Sequence, residues 1–222
     1  TESKNFNPDF SRIGQGSVAD VIDVTQTLPF ILPHTRTNTH LYVQDEWRVA
    51  KDWTLTSGVR HDQTSDFGSS LNPRLALVWD ATYNVTAKLL YGSAYRAPSF
   101  VELYSQNNPV VEGNPNLKPE DVVSAELSFE KALDQGKLRI SLFAEQVKDA
   151  LIAQTANFPG IATPTSFMQN VDKTRQRGIE LVYQAQDVLI RGLELSGSLT
   201  YVDARILKND GYVPAASTPG AT

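Results

Sequence analysis

From Thr39 onward the chain alternates apolar and polar positions with a period of two. In "THLYVQDEWRV" one side collects Leu41, Val43, Trp47 and Val49, the other Tyr42, Gln44, Glu46 and Arg48. "WTLTSGVRHD" splits into Trp53, Leu55 and Val59 against Thr54, Thr56 and Arg60. The rhythm continues with Leu75, Leu77 and Trp79, then Val85, Ala87, Leu89 and Tyr91, then Val123, Ala125, Leu127 and Phe129. "KLRISLFAEQV", "RQRGIELVYQ" and "LELSGSLTYVDAR" complete the series. Side chains of a strand point alternately to opposite faces, so the pattern predicts about eight strands of roughly ten residues, each with one apolar face. One residue breaks the rule: Asp45 falls on the apolar side between Val43 and Trp47.

The connections carry a second periodicity. Short turns are predicted near 50–52, 81–82, 133–137 and 185–192, and long polar connections near 63–72, 96–121 and 149–166, with the tail after Arg205 as a fourth. A soluble antiparallel sandwich has no reason to gather its long connections at one end, whereas an outer-membrane barrel has tight periplasmic turns and long external loops. Aromatics agree: Trp47 and Trp53 flank the first short turn, and Trp79 and Tyr83 the second. Amphipathic rings there are expected to form a membrane-interface girdle. The fold class read from this pattern is therefore all-β, an antiparallel transmembrane β-barrel.

Composition narrows the function. The formal charge is −5 with no clustered basic stripe, which argues against a nucleic-acid partner. Without cysteine, neither a disulfide framework nor a thiolate metal site is available. The longest uncharged stretch, Ala150 to Val171, contains Pro159, Gly160 and Pro164 and is read as a loop rather than a membrane helix. His34, His40 and His61 form no metal-binding spacing, and the "GQG" at 14–16 has no flanking strand and helix to cradle a nucleotide. Asp45-Glu46 and Glu120-Asp121 are adjacent and would point to opposite faces of a strand. No catalytic set, cofactor or metal site is expected, and the chain is not read as an enzyme.

Several stretches, taken in order, resemble TonB-dependent outer-membrane receptors. They are "LYVQDEWRVAKDWTLTSGVRHD" at 41–62, "NPRLALVWDATYNVTAKLLYGSAYRAPSFVELY" at 72–104, "GNPNLKPEDVVSAELSFE" at 113–130 and "NVDKTRQRGIELVYQ" at 170–184. The resemblance implies a barrel of twenty-two strands around an N-terminal plug, placed in the Gram-negative outer membrane and energised through TonB. The cargo it implies is a scarce nutrient, most often a ferric siderophore. Nothing here looks like a plug or a TonB box, so the expectation is a barrel fragment whose plug, and whose contact with TonB and the inner-membrane energising complex, lie outside the chain. On this reading residues 1–38 are an external loop segment, 39–205 the barrel strands, and 206–222 the start of a further, truncated external loop.

The polar face, with Arg60, Arg74, Lys88, Glu126, Glu130, Arg139 and Glu180, suits a wet lumen or a docked plug. Cargo contacts are expected at the external end, where Tyr95, Arg96, Phe100 and Tyr104 introduce the longest loop, because aromatics and an arginine can receive a bulky anionic chelate. "GNPNLKPE" at 113–120 is read as a stiff corner that ends this loop. Two rival readings make different demands: a complete eight-stranded structural or adhesive barrel must close on itself, and a soluble β-sandwich binding module must enclose Leu55, Leu77, Leu89 and Leu127 in a core.

Overall fold

The computed structural model describes residues 6–7, 22–23, 26–27, 29–107, 111–156, 165–188 and 190–210. Most of the expected segment 1–38, the centre of the 149–166 connection and the tail after 210 lie outside these residues. Two short strands, β1 (Phe6–Asn7) and β2 (Ile22–Asp23), pair with each other. The rest is one antiparallel meander of β3 (Asn38–Ala50), β4 (Trp53–Thr64), β5 (Gly68–Ala81), β6 (Val85–Arg96), β8 (Glu120–Leu133), β9 (Gly136–Ala156), β10 (Thr165–Gln186) and β11 (Glu194–Lys208). Between β6 and β8 lie a one-turn helix α1 (Phe100–Tyr104) and the two-residue strand β7 (Val111–Glu112), which pairs in parallel with β10.

The sheet is open. Each long strand pairs with its sequence neighbours, and β3 and β11 form its two edges without pairing with each other. A closed eight-stranded barrel is therefore not the arrangement seen. The register turns the alternation into continuous rows. Trp47 opposes Leu55, which opposes Leu77, then Leu89, Leu127, Leu142, Ile179 and Tyr201, one apolar row across all eight long strands. The next row towards the short turns runs Trp53, Trp79, Ala87, Phe129, Ile140, Leu181 and Leu199. None of Leu55, Leu77, Leu89 and Leu127 is buried, so the sandwich reading fails. Asp45, opposite Ser57, keeps its place on the apolar face; the β3 bulge lies further on, between Arg48 and Ala50.

Parts of two connections read as loops are strands instead. β4 and β5 pair as far as Thr64 and Gly68, leaving only 65–67 as a turn where 63–72 was expected. β9 and β10 pair as far as Ala156 and Thr165. In the first extension Gln63, Thr64, Ser69, Ser70 and Asn72 leave both faces largely polar, and in the second Ala150, Leu151, Ile152 and Ala153 run on as consecutive apolar residues, so the alternation that reveals a half-buried strand is missing in both. The hydrogen-bonded ladder does not require it.

The opposite, polar face is cross-linked between strands: Arg139 meets Glu180 at 3.0 Å, and Gln176 donates to Glu145 at 2.6 Å. Buried apolar side chains gather mainly beyond the apolar rows. Leu103 of α1, Leu117, Ala150 of β9 and Val171 of β10 are all closed to solvent, and Pro98 is fully buried.

Candidate functional site

The site is built around the turn from β6 into α1. Ser99 caps the helix: its hydroxyl accepts from the Glu102 backbone N–H at 3.3 Å, and its own N–H donates to the Glu102 carboxylate at 2.6 Å. This capping box satisfies backbone donors that a single turn would otherwise leave unpaired. Arg96, the last residue of β6, donates from Nε to Glu120 at 2.5 Å and from Nη1 to Glu102 at 3.2 Å. The other oxygen of Glu120 accepts the Leu151 N–H at 2.6 Å. One guanidinium thus ties the start of β8, the helix and, through Glu120, β9. Burial raises the Glu102 carboxyl, but its bonds with Ser99 and Arg96 outweigh this and hold it below the usual carboxylate range.

Phe100 and Tyr104 share one side of α1, their ring centres 6.2 Å apart. That side is met by the segment preceding β3. His34 stacks on Tyr104 at 3.8 Å and lies 5.7 Å from Phe100. The Arg36 guanidinium sits 5.0 Å from the Phe100 ring and 5.2 Å from the Phe67 ring, and is held by Asp66 at 2.7 Å. Backbone bonds fix the strap: Gln106 donates to the Phe30 carbonyl and Ser65 to the Thr37 carbonyl, at 2.9 and 3.0 Å. His34, Arg36, Asp66 and Phe67 were not singled out as contact candidates from the sequence, because what assembles them is contact between residues some thirty to seventy positions apart.

The segment "GNPNLKPE" fastens this assembly to the β9–β10 hairpin. Gly113 passes so close to α1 that a Cβ there would lie 2.5 Å from the Ser105 nitrogen, so only glycine fits. Asn114 donates to the Met168 carbonyl at 3.1 Å, and its side-chain oxygen accepts the Asn116 N–H, closing an Asx turn. Asn170 then grips Lys118 twice, accepting its N–H at 2.8 Å and donating to its carbonyl at 2.9 Å. The predicted stiff corner is here, and it also carries the buried Leu117.

Below α1 the β5–β6 ladder ends at Arg74 and Gly92. The next β5 residue, Pro73, has no N–H to donate, which favours the ladder stopping there. A depression of about 450 Å³ opens in this region, lined by Arg36, Arg60, Asp62, Asn72, Tyr95 and Arg96. Arg60 is held by Asp62 at 2.7 Å. Each of the three guanidiniums is therefore fixed by a carboxylate yet keeps N–H groups unspent, since the group carries five donors. The hydroxyls of Ser93 and Tyr95 are buried without a hydrogen-bond partner among the described residues.

The structure thus brings Phe100 and Tyr104 together under His34 and Arg36, and puts Tyr95 and Arg96 at the edge of the depression. Of the aromatics near the short turns, Trp53 and Trp79 stack with ring centres 5.1 Å apart, Trp47 is exposed opposite Leu55, and Tyr83 stands in the β5–β6 turn, 85% exposed. Among the described residues no group of three or more His, Cys, Asp or Glu could hold a metal ion.

Comparison with known proteins adds to this geometry. The family model for the TonB dependent receptor-like β-barrel matches residues 3–221. The chain belongs to the TonB-dependent receptor family. By sequence the receptor domain is 30% identical to the iron-regulated outer membrane virulence protein of Vibrio cholerae over 174 residues, covering 72% of this chain and 26% of that protein. It is 40% identical to the vitamin B12 transporter BtuB of Vibrio cholerae over 96 residues, 42% of this chain and 15% of that one. By structure it is similar to the siderophore receptor PirA of Pseudomonas aeruginosa, with TM-score 0.63, 27% identity, and coverage of 76% of this chain and 32% of that one. The chain spans about a quarter or less of the length of the curated relatives it matches. These relatives are receptors and transporters rather than enzymes, and outer-membrane proteins of Gram-negative bacteria are among them.

Proposed function

We propose that this domain forms part of the wall and external rim of an outer-membrane active-transport receptor whose cargo is a ferric siderophore. In this reading the apolar rows face lipid, the polar face lines the lumen, and the end bearing α1 faces outside. The plug and the TonB-contacting segment are supplied by parts of the receptor beyond this chain. The observation that carries the cargo assignment is the cluster at the rim: Phe100 and Tyr104 beside three carboxylate-anchored arginines, Arg36, Arg60 and Arg96. Stacking rings and fixed N–H donors suit a flat, oxygen-rich anionic chelate, because the donors are already oriented and lose little freedom on binding. Likeness to siderophore receptors supports the same choice. A second reading, cobalamin, is supported by the 40% identity with a vitamin B12 transporter over part of the chain.

The test is equilibrium binding to the full-length receptor in detergent, with ferric catecholate and hydroxamate chelates and cobalamin as probes. Ferric chelate binding in the micromolar range or tighter is expected, weakened about tenfold by Arg60→Gln, a loss typical of one charge-assisted hydrogen bond. Binding of cobalamin alone would replace this cargo with the second one.

A further inference from the structure

Residues 29–37, which precede β3, cross the rim site as a strap without helix or strand. Both of its ends are tied down. At the first, the Asn107 side-chain amide donates to the Pro29 carbonyl at 3.0 Å, and the Gln106 N–H to the Phe30 carbonyl at 2.9 Å. At the second, the Thr37 N–H donates to the Ser65 hydroxyl at 3.1 Å, and Arg36 is held by Asp66 at 2.7 Å. Between these ties, residues 31–35 make no hydrogen bond with other described residues. What holds the middle of the strap is a ring contact. His34 lies on Tyr104 with centres 3.8 Å apart and planes 15° from parallel. Pro33 fixes its own φ and restricts Leu32, so His34 is presented with little conformational freedom.

This stack is the contact that a planar ring of a cargo would make. The cargo reading gives Phe100 and Tyr104 the task of receiving such rings, yet His34 already lies on Tyr104, and the Arg36 guanidinium sits 5.0 Å from the centre of Phe100. Both rings are half-buried, which limits the ring surface on offer, and the strap covers part of it. His34 itself is exposed, so it can leave Tyr104 by bowing outwards while both ends of the strap stay tied.

We propose that His34 is a built-in competitor: the strap holds an imidazole in the place of a cargo ring, and cargo binds by displacing it. The inference rests on the cargo reading above. One aromatic stack shifts an equilibrium by about two- to tenfold. That is enough to keep the strap closed over the empty site, and little enough for a chelate making several contacts to open it. A chelate bearing its own planar ring replaces the stack it breaks, whereas one without a ring does not.

The test measures binding of a ferric tris-catecholate chelate to the full-length receptor in detergent, with association and dissociation rates resolved. His34→Ala is expected to tighten binding about two- to tenfold, through faster association alone, because the competitor acts only on the empty site. His34→Phe, which keeps a ring for Tyr104, is expected to bind no more tightly than the parent. Neither change removes a hydrogen bond among the described residues, and heat-dependent mobility in gels shows that each variant is folded. A folded His34→Ala receptor that binds equally well, or that gains affinity by slower dissociation, overturns the proposal. Weaker binding with faster dissociation also overturns it and makes His34 a cargo contact. Absence of chelate binding in both parent and His34→Ala overturns the cargo reading, and the competitor with it.

Discussion

The two ends of the sheet treat a leucine in opposite ways. Leu89, in the middle of an apolar row, is about half exposed and supported by its cross-strand neighbours, whereas Leu103, on a five-residue helix, is closed to solvent almost completely. Around Leu89 an apolar side chain has no protein core to enter among the described residues, and on the membrane placement proposed above what covers it is hydrocarbon. Around Leu103 a connection that would be a floppy loop in isolation has been folded back on the β9–β10 hairpin and closed with its own small core. The difference shows that exposure of large apolar groups at one end is a property of that surface and not a failure to pack, because the same chain buries leucines fully where water is the solvent.

The comparison is most sharply broken by giving both sites the same substitution in the full-length receptor. Leu103→Ala should cost about 2–5 kcal/mol of local stability, since it leaves a cavity among fixed neighbours. Hydrogen exchange should then accelerate in residues 113–118 while the ladders around Leu89 stay protected; uniform acceleration across the sheet would refute the idea of two separate regions. Leu89→Ala should cost far less, because lipid chains can refill the space. Leu89→Arg, by contrast, should destabilise the folded barrel in vesicles by about 2–4 kcal/mol, the cost of a cation near the bilayer midplane. A folding titration in urea measures it, and no effect would argue that Leu89 faces water.

The smallest effect is a pH dependence. The Glu102 carboxyl is held below its ordinary range, so its stabilising contribution is complete above the unfolded carboxyl's value and is lost as pH falls through the lower folded value. Acidification into and below the carboxylate range should therefore loosen α1 and the segment 113–118 before the apolar rows respond. Solvent screening keeps the effect modest. Fluorescence from a probe on α1 should show this transition in the parent and lose it in Glu102→Gln.

What was legible in the sequence follows the same division. Where one face is apolar, the register was readable residue by residue: Leu55, Leu77, Leu89 and Leu127, grouped on one face by alternation, stand in a single row. Where the alternation lapses, among the polar residues of Asp62–Asn72 and in the unalternated outer parts of β9 and β10, the sequence imitated a loop although the strands pair. The helix has a local signal in the Ser99…Glu102 spacing. His34 and Arg36 had none, since only the fold carries them to Phe100 and Tyr104.

Arg96 has a mechanical consequence. Its guanidinium joins Glu102 on the helix to Glu120 at the root of β8, and Glu120 in turn holds the Leu151 N–H of β9. A displacement of α1 cannot stay within the loop: it must either strip a charge from its partner or pull on the neighbouring staves. The rim and the wall therefore behave as a lever with its fulcrum at the end of β6, and pressure applied at the Phe100 ring is delivered two strands away.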